Sequence, residues 1–376
     1  MLNIKQKIFD NLKNIPGWRT DRKLVAFAVD DYGNVRLNSR AAYETVNKAH
    51  QVKGNRFDQY DTLETREDLE GLYEVLASAR DGRDHHAVFT PYALPCNIDF
   101  EKMGESDYCD YHYELLPQTY EKLEAQQPGA YSGTWALWKE GIRKGLMQPQ
   151  FHGREHFNLK VFEEKLACKD PVLMASLENR SLIGLGKTNY PSINWTAAFS
   201  FWDAERDTER FPEILRRGVD AFERVYGYRA VAFTPPAQQF PESMEKDLTV
   251  YGIQALDKPF FQRRHMGMGR YKKRLAYAGY KPENGLVHLV RNVVFEPTHG
   301  GFDHVAKAIQ QIGAAFRWNR PALISSHRVN FCGHIDPKNR AKGLGDLKSL
   351  LDAVVKKWPE VEFVSVSELV KMMARR

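Results

Sequence analysis

The chain has 376 residues, 43% hydrophobic and 27% charged, which excludes a disordered or fibrous polymer and allows a large buried core. With 54 Lys plus Arg against 48 Asp plus Glu, the formal charge is +6, a mild bias that suits anionic substrates and does not by itself imply nucleic acid. No window is apolar for long enough to span a bilayer, and Cys96, Cys109, Cys168 and Cys332 stand far apart with no C-x-x-C pair, so reduced thiols are expected.

Residues 1–16 place Ile4, Ile8, Leu12 and Ile15 at helical spacing among lysines. The expectation is an ordinary packed helix, with contact to a membrane surface as the other reading. The segment lacks the continuous apolar stretch of a signal peptide, so a cytoplasmic protein is expected. Next comes an apolar run, 24–29, that ends in Asp30-Asp31 and then Tyr32-Gly33-Asn34. Such a run reads as a buried strand stopping at a turn. Adjacent strand residues point to opposite faces, so two carboxylates share a site only if the chain bends at once. Tyr32-Gly33-Asn34 is the expected bend.

Further strands are expected at 87–90, 150–151, 196–202, 230–234, 252–256, 286–295, 322–326 and 361–366. Helical periodicity marks 211–226, 303–318 and 344–358, the second with Asp303 as cap. Strands alternating with helices predict an α/β fold, a distorted (β/α) barrel with a parallel sheet and right-handed crossovers. One elaborated domain over 1–376 is expected, its core about 20–370. The irregular stretches 97–146 and 158–200 are expected as insertions looping over the barrel mouth. In such folds the active site lies beyond the C-terminal strand ends, where Asp30, Asp31, His152 and His327 all fall.

The chemistry sits at those ends. Phe151-His152-Gly153-Arg154-Glu155-His156 holds two histidines four apart, which can face one ion. Leu323-Ile324-Ser325-Ser326-His327 puts a histidine just past a late strand, where a near-neutral pKa suits an acid or base. Val29-Asp30-Asp31, His152-x-x-x-His156 with Leu159, and Leu323 with His327 together resemble the polysaccharide deacetylase family, carbohydrate esterase family 4 or NodB-homology domain. The resemblance implies that Asp31, His152 and His156 hold a divalent metal, most often zinc. It implies Asp30 as general base, His327 as general acid, and an acetylated saccharide as substrate. A backbone N–H beside Tyr32 would help hold the oxyanion, and Pro235, Pro236 and His299 are candidate substrate contacts. Of Trp135, Trp138, Trp195 and Trp202, one or two at most are expected to face the cleft.

The sequence departs from the family at two motifs. Thr234 precedes Pro235-Pro236, where the family has the arginine that orients the base. Arg229, five residues upstream, would face away on a strand, so Arg154 or Arg328 is the expected substitute. Leu256-Asp257-Lys258-Pro259 matches the fourth motif poorly. These losses keep open a non-catalytic carbohydrate-binding protein on the same scaffold. His152-x-x-Glu155-His156 also spells a zinc-peptidase string, H-x-x-E-H, but that chemistry needs a long helix, and Gly153 interrupts this one. The basic, aromatic stretch 260–280 is expected as a solvated loop rather than a nucleic-acid surface. Oligomeric state is silent in the sequence.

Overall fold

The computed structural model describes residues 4–51, 55–186, 188–191 and 193–375. Nine strands form one sheet: β1 (Leu24–Tyr32), β2 (Phe89–Ala93), β3 (Gln150–Phe151), β4 (Ala232–Phe233), β5 (Ala255–Asp257), β6 (Val287–Leu289), β7 (Val293–Val294), β8 (Ala322–His327) and β9 (Glu362–Phe363). Their order is β6-β5-β4-β3-β2-β1-β8-β7, with β9 paired to the start of β1. Every pairing in this sheet is parallel. All nine residues of β1 are buried, the continuous apolar run expected of a strand covered on both faces.

The two edge strands, β6 and β7, are consecutive in sequence and joined only by Val290-Arg291-Asn292. So short a link reaches about 14 Å at most. The sheet therefore curls until its edges nearly meet, an incomplete (β/α) barrel whose seam is that tripeptide. Asn292 fixes the seam: its N–H donates to Leu323 O (3.1 Å), and its side-chain oxygen accepts from Leu323 N (2.9 Å).

Helices cover the outside. α2 (Phe211–Tyr226) buries Leu215, Val219, Phe222 and Tyr226 on one face and stops at Gly227, whose φ of +79° suits a residue without Cβ. α3 (His304–Arg317) starts at Asp303, whose carboxylate accepts from Ala306 N, and α4 (Pro337–Lys357) follows β8. The 97–146 stretch is regular rather than irregular. It is a short antiparallel hairpin (Cys96–Ile98, Tyr113–Leu115) and helices that bury Tyr120, Tyr131 and Trp138 in the main core. Aromatic side chains of that size gain too much by burial to stay in a solvated loop.

Three other elements differ from the sequence expectation. No strand forms at 196–202: Asn158 Nδ2 donates to Ala197 O (3.2 Å) and Ser200 O (2.8 Å), and Asp207 accepts from Trp202 N (2.8 Å), so side chains satisfy this backbone. The 286–295 run splits into β6 and β7 at Arg291. Residues Phe261–His265 and Tyr271–Leu275 form an exposed antiparallel hairpin rather than a loop.

The N-terminal helix, α1 (Ile4–Leu12), packs the reverse of what its pattern suggests. Its one buried residue is Asp10, which accepts from Gln6 (3.0 Å), Gln310 (2.9 Å) and Gln311 (3.0 Å). Ile4, Ile8 and Leu12 face outward. The body offers α3's glutamines here, so the polar face docks. Among the described residues no helix is long and apolar enough to cross a membrane.

Candidate functional site

β1 and β8 pair in register so that Asp30 lies opposite His327 at the C-terminal end of the sheet. Asp31 has a φ of +75°, and the β1–β2 register shifts between Val29 and Tyr32. The bend is thus at Asp31 itself, one residue before the expected turn. A left-handed aspartate costs on the order of 1 kcal/mol and breaks the alternation of side chains, so both carboxylates reach one cleft.

His152 follows β3, and its N–H donates to Ala93 O at the end of β2 (3.2 Å). Its Nδ1 lies 2.7 Å from Thr234 O, so Nδ1 carries the proton and the Nε2 lone pair points toward Asp31. The His152–His156 segment is irregular, and Gly153 adopts a φ of +114°. Asp31 Oδ1 is 3.4 Å from His152 Nε2 and 2.9 Å from His156 Nε2. One donor atom from each residue lies within 4.8 Å of the others. Burial raises the Asp31 carboxylate, but the two imidazoles beside its Oδ1, His156 foremost, outweigh it and hold Asp31 well below the usual range. Burial lowers His156 despite Asp31, which favours the neutral imidazole that a metal requires.

The base candidate is held by a residue the sequence reading missed. Arg291 Nη1 donates to Asp30 Oδ2 and Nη2 to Asp30 Oδ1, both at 2.7 Å, a two-pronged grip. Nη2 also donates to Thr234 Oγ1 (2.9 Å), and Nε lies 2.6 Å from Asp257 Oδ2. Asp30 is therefore gripped by an arginine from the barrel seam, not from the segment before Pro235-Pro236. Thr234 and Asp257 both engage it. One signal was available: a charge inside the apolar run 286–295 must be paired if buried.

Arg154 and Arg328 do not take that place. Arg154 ion-pairs with Glu155 and lies over the Tyr113 ring (4.5 Å). Arg328 is fully buried, its Nε donating to Asp61 Oδ1 and its Nη1 to Glu64 Oε1, each at 2.9 Å. Glu64 Oε1 also accepts from Gly33 N (2.9 Å), so this buried charge cluster braces the turn after Asp31. Glu155 is likewise occupied, accepting from Arg154 and from Tyr111 OH (3.1 Å), and its segment is not helical. Nothing there supports the peptidase reading.

The acid candidate has its own support. His327 Nδ1 is 2.6 Å from Glu296 Oε1, and its Nε2 is 3.9 Å from Asp30 Oδ2. Burial disfavours the imidazolium, but Glu296, then Asp31 and Asp30, outweigh it and raise His327 to about 9. Burial alone would raise Glu296. His327, Arg56 and Asn330 instead bring it down to about 2. Glu296 was also missed; its place two residues past β7 is visible only once the barrel closes.

Asp30, Asp31, His152, His156, Arg291 and His327 line a cleft of about 390 Å³ together with Thr234, Pro235 and Trp195. That is within the range of small-molecule sites. Arg36, paired with Asp58, is sandwiched between Phe57 (5.4 Å) and Trp195 (5.3 Å) at the same cleft. The other candidates lie elsewhere. The Tyr32 side chain is buried edge-on against Trp138, Pro236 packs near Gly153, and His299 is exposed on its loop.

No family model matches the sequence, and no curated protein matches it. Among solved structures, one similar to this chain is a Mycobacterium smegmatis protein assigned as a polysaccharide deacetylase. The two share 13% identity over 95% of this chain and 92% of that one, with a TM-score of 0.45. Another is a Parabacteroides distasonis protein assigned as a glycoside hydrolase/deacetylase, at 9% identity over 96% of this chain and 73% of that one, with a TM-score of 0.49. A third is the 4-alpha-glucanotransferase of Thermococcus litoralis, at 11% identity over 94% of this chain but only 40% of that one, with a TM-score of 0.47.

Proposed function

We propose that the protein is a metal-dependent hydrolase that removes an acetyl group from a saccharide. One observation carries the reading: a His₂Asp donor set, an arginine-held carboxylate and a carboxylate-held histidine line one cleft. The donors fit a divalent cation. Two imidazole nitrogens and one carboxylate oxygen suit zinc, and His152 is already oriented through its second nitrogen. The chemistry such an ion supplies is Lewis acidity, which polarises an acyl carbonyl and makes water a better nucleophile near neutral pH.

The chain's own residues do the rest. Asp30 takes the proton of the attacking water, and Arg291 fixes both its oxygens so that one lone pair stays aimed into the cleft. His327, kept protonated by Glu296, gives a proton to the departing sugar nitrogen or oxygen. Trp195 offers an apolar face on which a sugar ring can stack.

Metal analysis of the purified protein against Asp31→Ala and His152→Ala, with acetate release measured on a panel of acetylated sugars, tests the reading. The expected result is about one bound divalent ion per chain and acetate release, both lost in the variants. Variants that keep metal and activity would refute it. Metal retention with no hydrolysis of any substrate would favour the binding-protein alternative.

A further inference from the structure

α1 and the Phe261–His265/Tyr271–Leu275 hairpin form one surface. Phe9 of α1 stacks on Phe261 (centroids 5.7 Å) and meets Phe260 edge-on (6.2 Å). Along α1, Ile4, Ile8 and Leu12 are 75%, 54% and 53% exposed, one above the other at i, i+4 and i+8. On the hairpin, Phe261 and Leu275 are direct cross-strand partners, 61% and 63% exposed. Aliphatic and aromatic side chains are thus turned to the outside on two adjoining elements. The side of α1 that docks on the body is the polar one, through Asp10.

The charge on this surface is as lopsided as its polarity. Residues 260–275 carry six Lys and Arg and no acid, and residues 4–16 carry three Lys and one Asp. These two short segments together hold a net +8, more than the +6 of the whole chain, so the remainder is slightly acidic. In the hairpin register, Arg263 faces Lys273 and Arg264 faces Lys272. Like charges directly opposite destabilise a two-stranded ribbon. Among the described residues one acid, Glu242, answers the hairpin, pairing with Arg264 and Arg274.

We infer that this surface docks on an anionic lipid bilayer, with α1 lying in the interface. The charge pattern selects the occupant. A second copy related by a two-fold axis would bring +8 against +8. Nucleic acid would leave Ile4, Ile8 and Leu12 uncovered. A bilayer with anionic headgroups meets both halves of the pattern: lysine and arginine at the phosphates, and the aliphatic stripe in the acyl boundary. The inference is independent of the hydrolytic reading, since none of these residues lines the cleft.

The test is co-sedimentation of the full chain with vesicles of phosphatidylcholine alone and of equal phosphatidylcholine and phosphatidylglycerol. Binding is expected only to the anionic vesicles and weakens with salt. Ile4→Ser/Ile8→Ser should cut partitioning about tenfold or more. Lys272→Gln/Lys273→Gln should cut it about fivefold per charge. Both variants should keep the wild-type circular-dichroism melt, because all four side chains point outward. Three results would overturn the inference. One is no binding to anionic vesicles. Another is vesicle binding that the isoleucine pair does not change. The third is a concentration-dependent dimer, or retention on duplex DNA, in place of vesicle binding.

Discussion

Arg291→Met isolates the tertiary feature on which the cleft depends. The guanidinium is nearly fully buried, and five oxygens from four residues surround it: both of Asp30 at 2.7 Å, Thr234 Oγ1 at 2.9 Å, Ser325 Oγ at 3.3 Å and Asp257 Oδ2 at 2.6 Å. A methionine fills most of the volume but leaves two buried carboxylates, Asp30 and Asp257, without the guanidinium they share. Breaking such a pair costs about 3–5 kcal/mol. Burial already raises Asp257 above an ordinary aspartate while Arg291 pulls it down. Without Arg291 its pKa rises further above the unfolded value. The penalty is then full above that raised pKa and is relieved as pH falls through it. The expected result is a large drop in urea midpoint at pH 8, a smaller one at pH 5, and partial recovery in Arg291→Met/Asp257→Asn. Tryptophan fluorescence against urea at the two pH values reads this directly. A loss below about 1 kcal/mol at pH 8, or a double variant no better than the single, would refute the argument.

Other expectations follow from the same geometry. Glu296→Gln removes the main support of the His327 cation, so the alkaline limb of the pH–rate profile should move from about 9 toward the ordinary histidine range. The sign is fixed because a protonated His327 serves as acid, so activity is lost as pH rises through its pKa. A limb that stays in place would assign the acid elsewhere. Chelation should lower the thermal midpoint of the wild type but not of Asp31→Ala, since a ligand at about 100 times its Kd contributes ~2.7 kcal/mol to the folded state. Calorimetry with and without chelator decides. Gly33→Ala should cost about 2 kcal/mol or more, because φ is +75° and a Cβ would sit 2.5 Å from Leu94 O. An unchanged urea midpoint would contradict the close approach. Trp195→Ala should raise KM for a saccharide more than it lowers kcat, since the indole lines the cleft but moves no proton.

The strand-end residues were legible in the sequence because their signals are local. An apolar run that ends in Asp30-Asp31, a histidine pair after Gln150-Phe151 and a histidine after Leu323-Ile324 each declare a strand terminus within a few residues. Parallel strands in an α/β chain then put all those termini at one end of the sheet. The same local rules located α2, α3 and most strands. They failed at 196–202, where side-chain hydrogen bonds replace a ladder. They failed again at α1, where periodicity identified the helix but not which face the body would accept.

Arg291 and Glu296 belong to a different kind of information. Arg291 is 261 positions from Asp30, and its role exists only because the sheet curls far enough to bring edge strands β6 and β7 together around a three-residue seam. Local pattern fixes which residues stand at strand ends, since hydrophobic period and turn chemistry act over a few residues. Which charges meet across the barrel is set by curvature and closure, which depend on every strand at once. The amino-acid order thus specified the residues at the strand ends, and only the curled sheet determined what holds them in place.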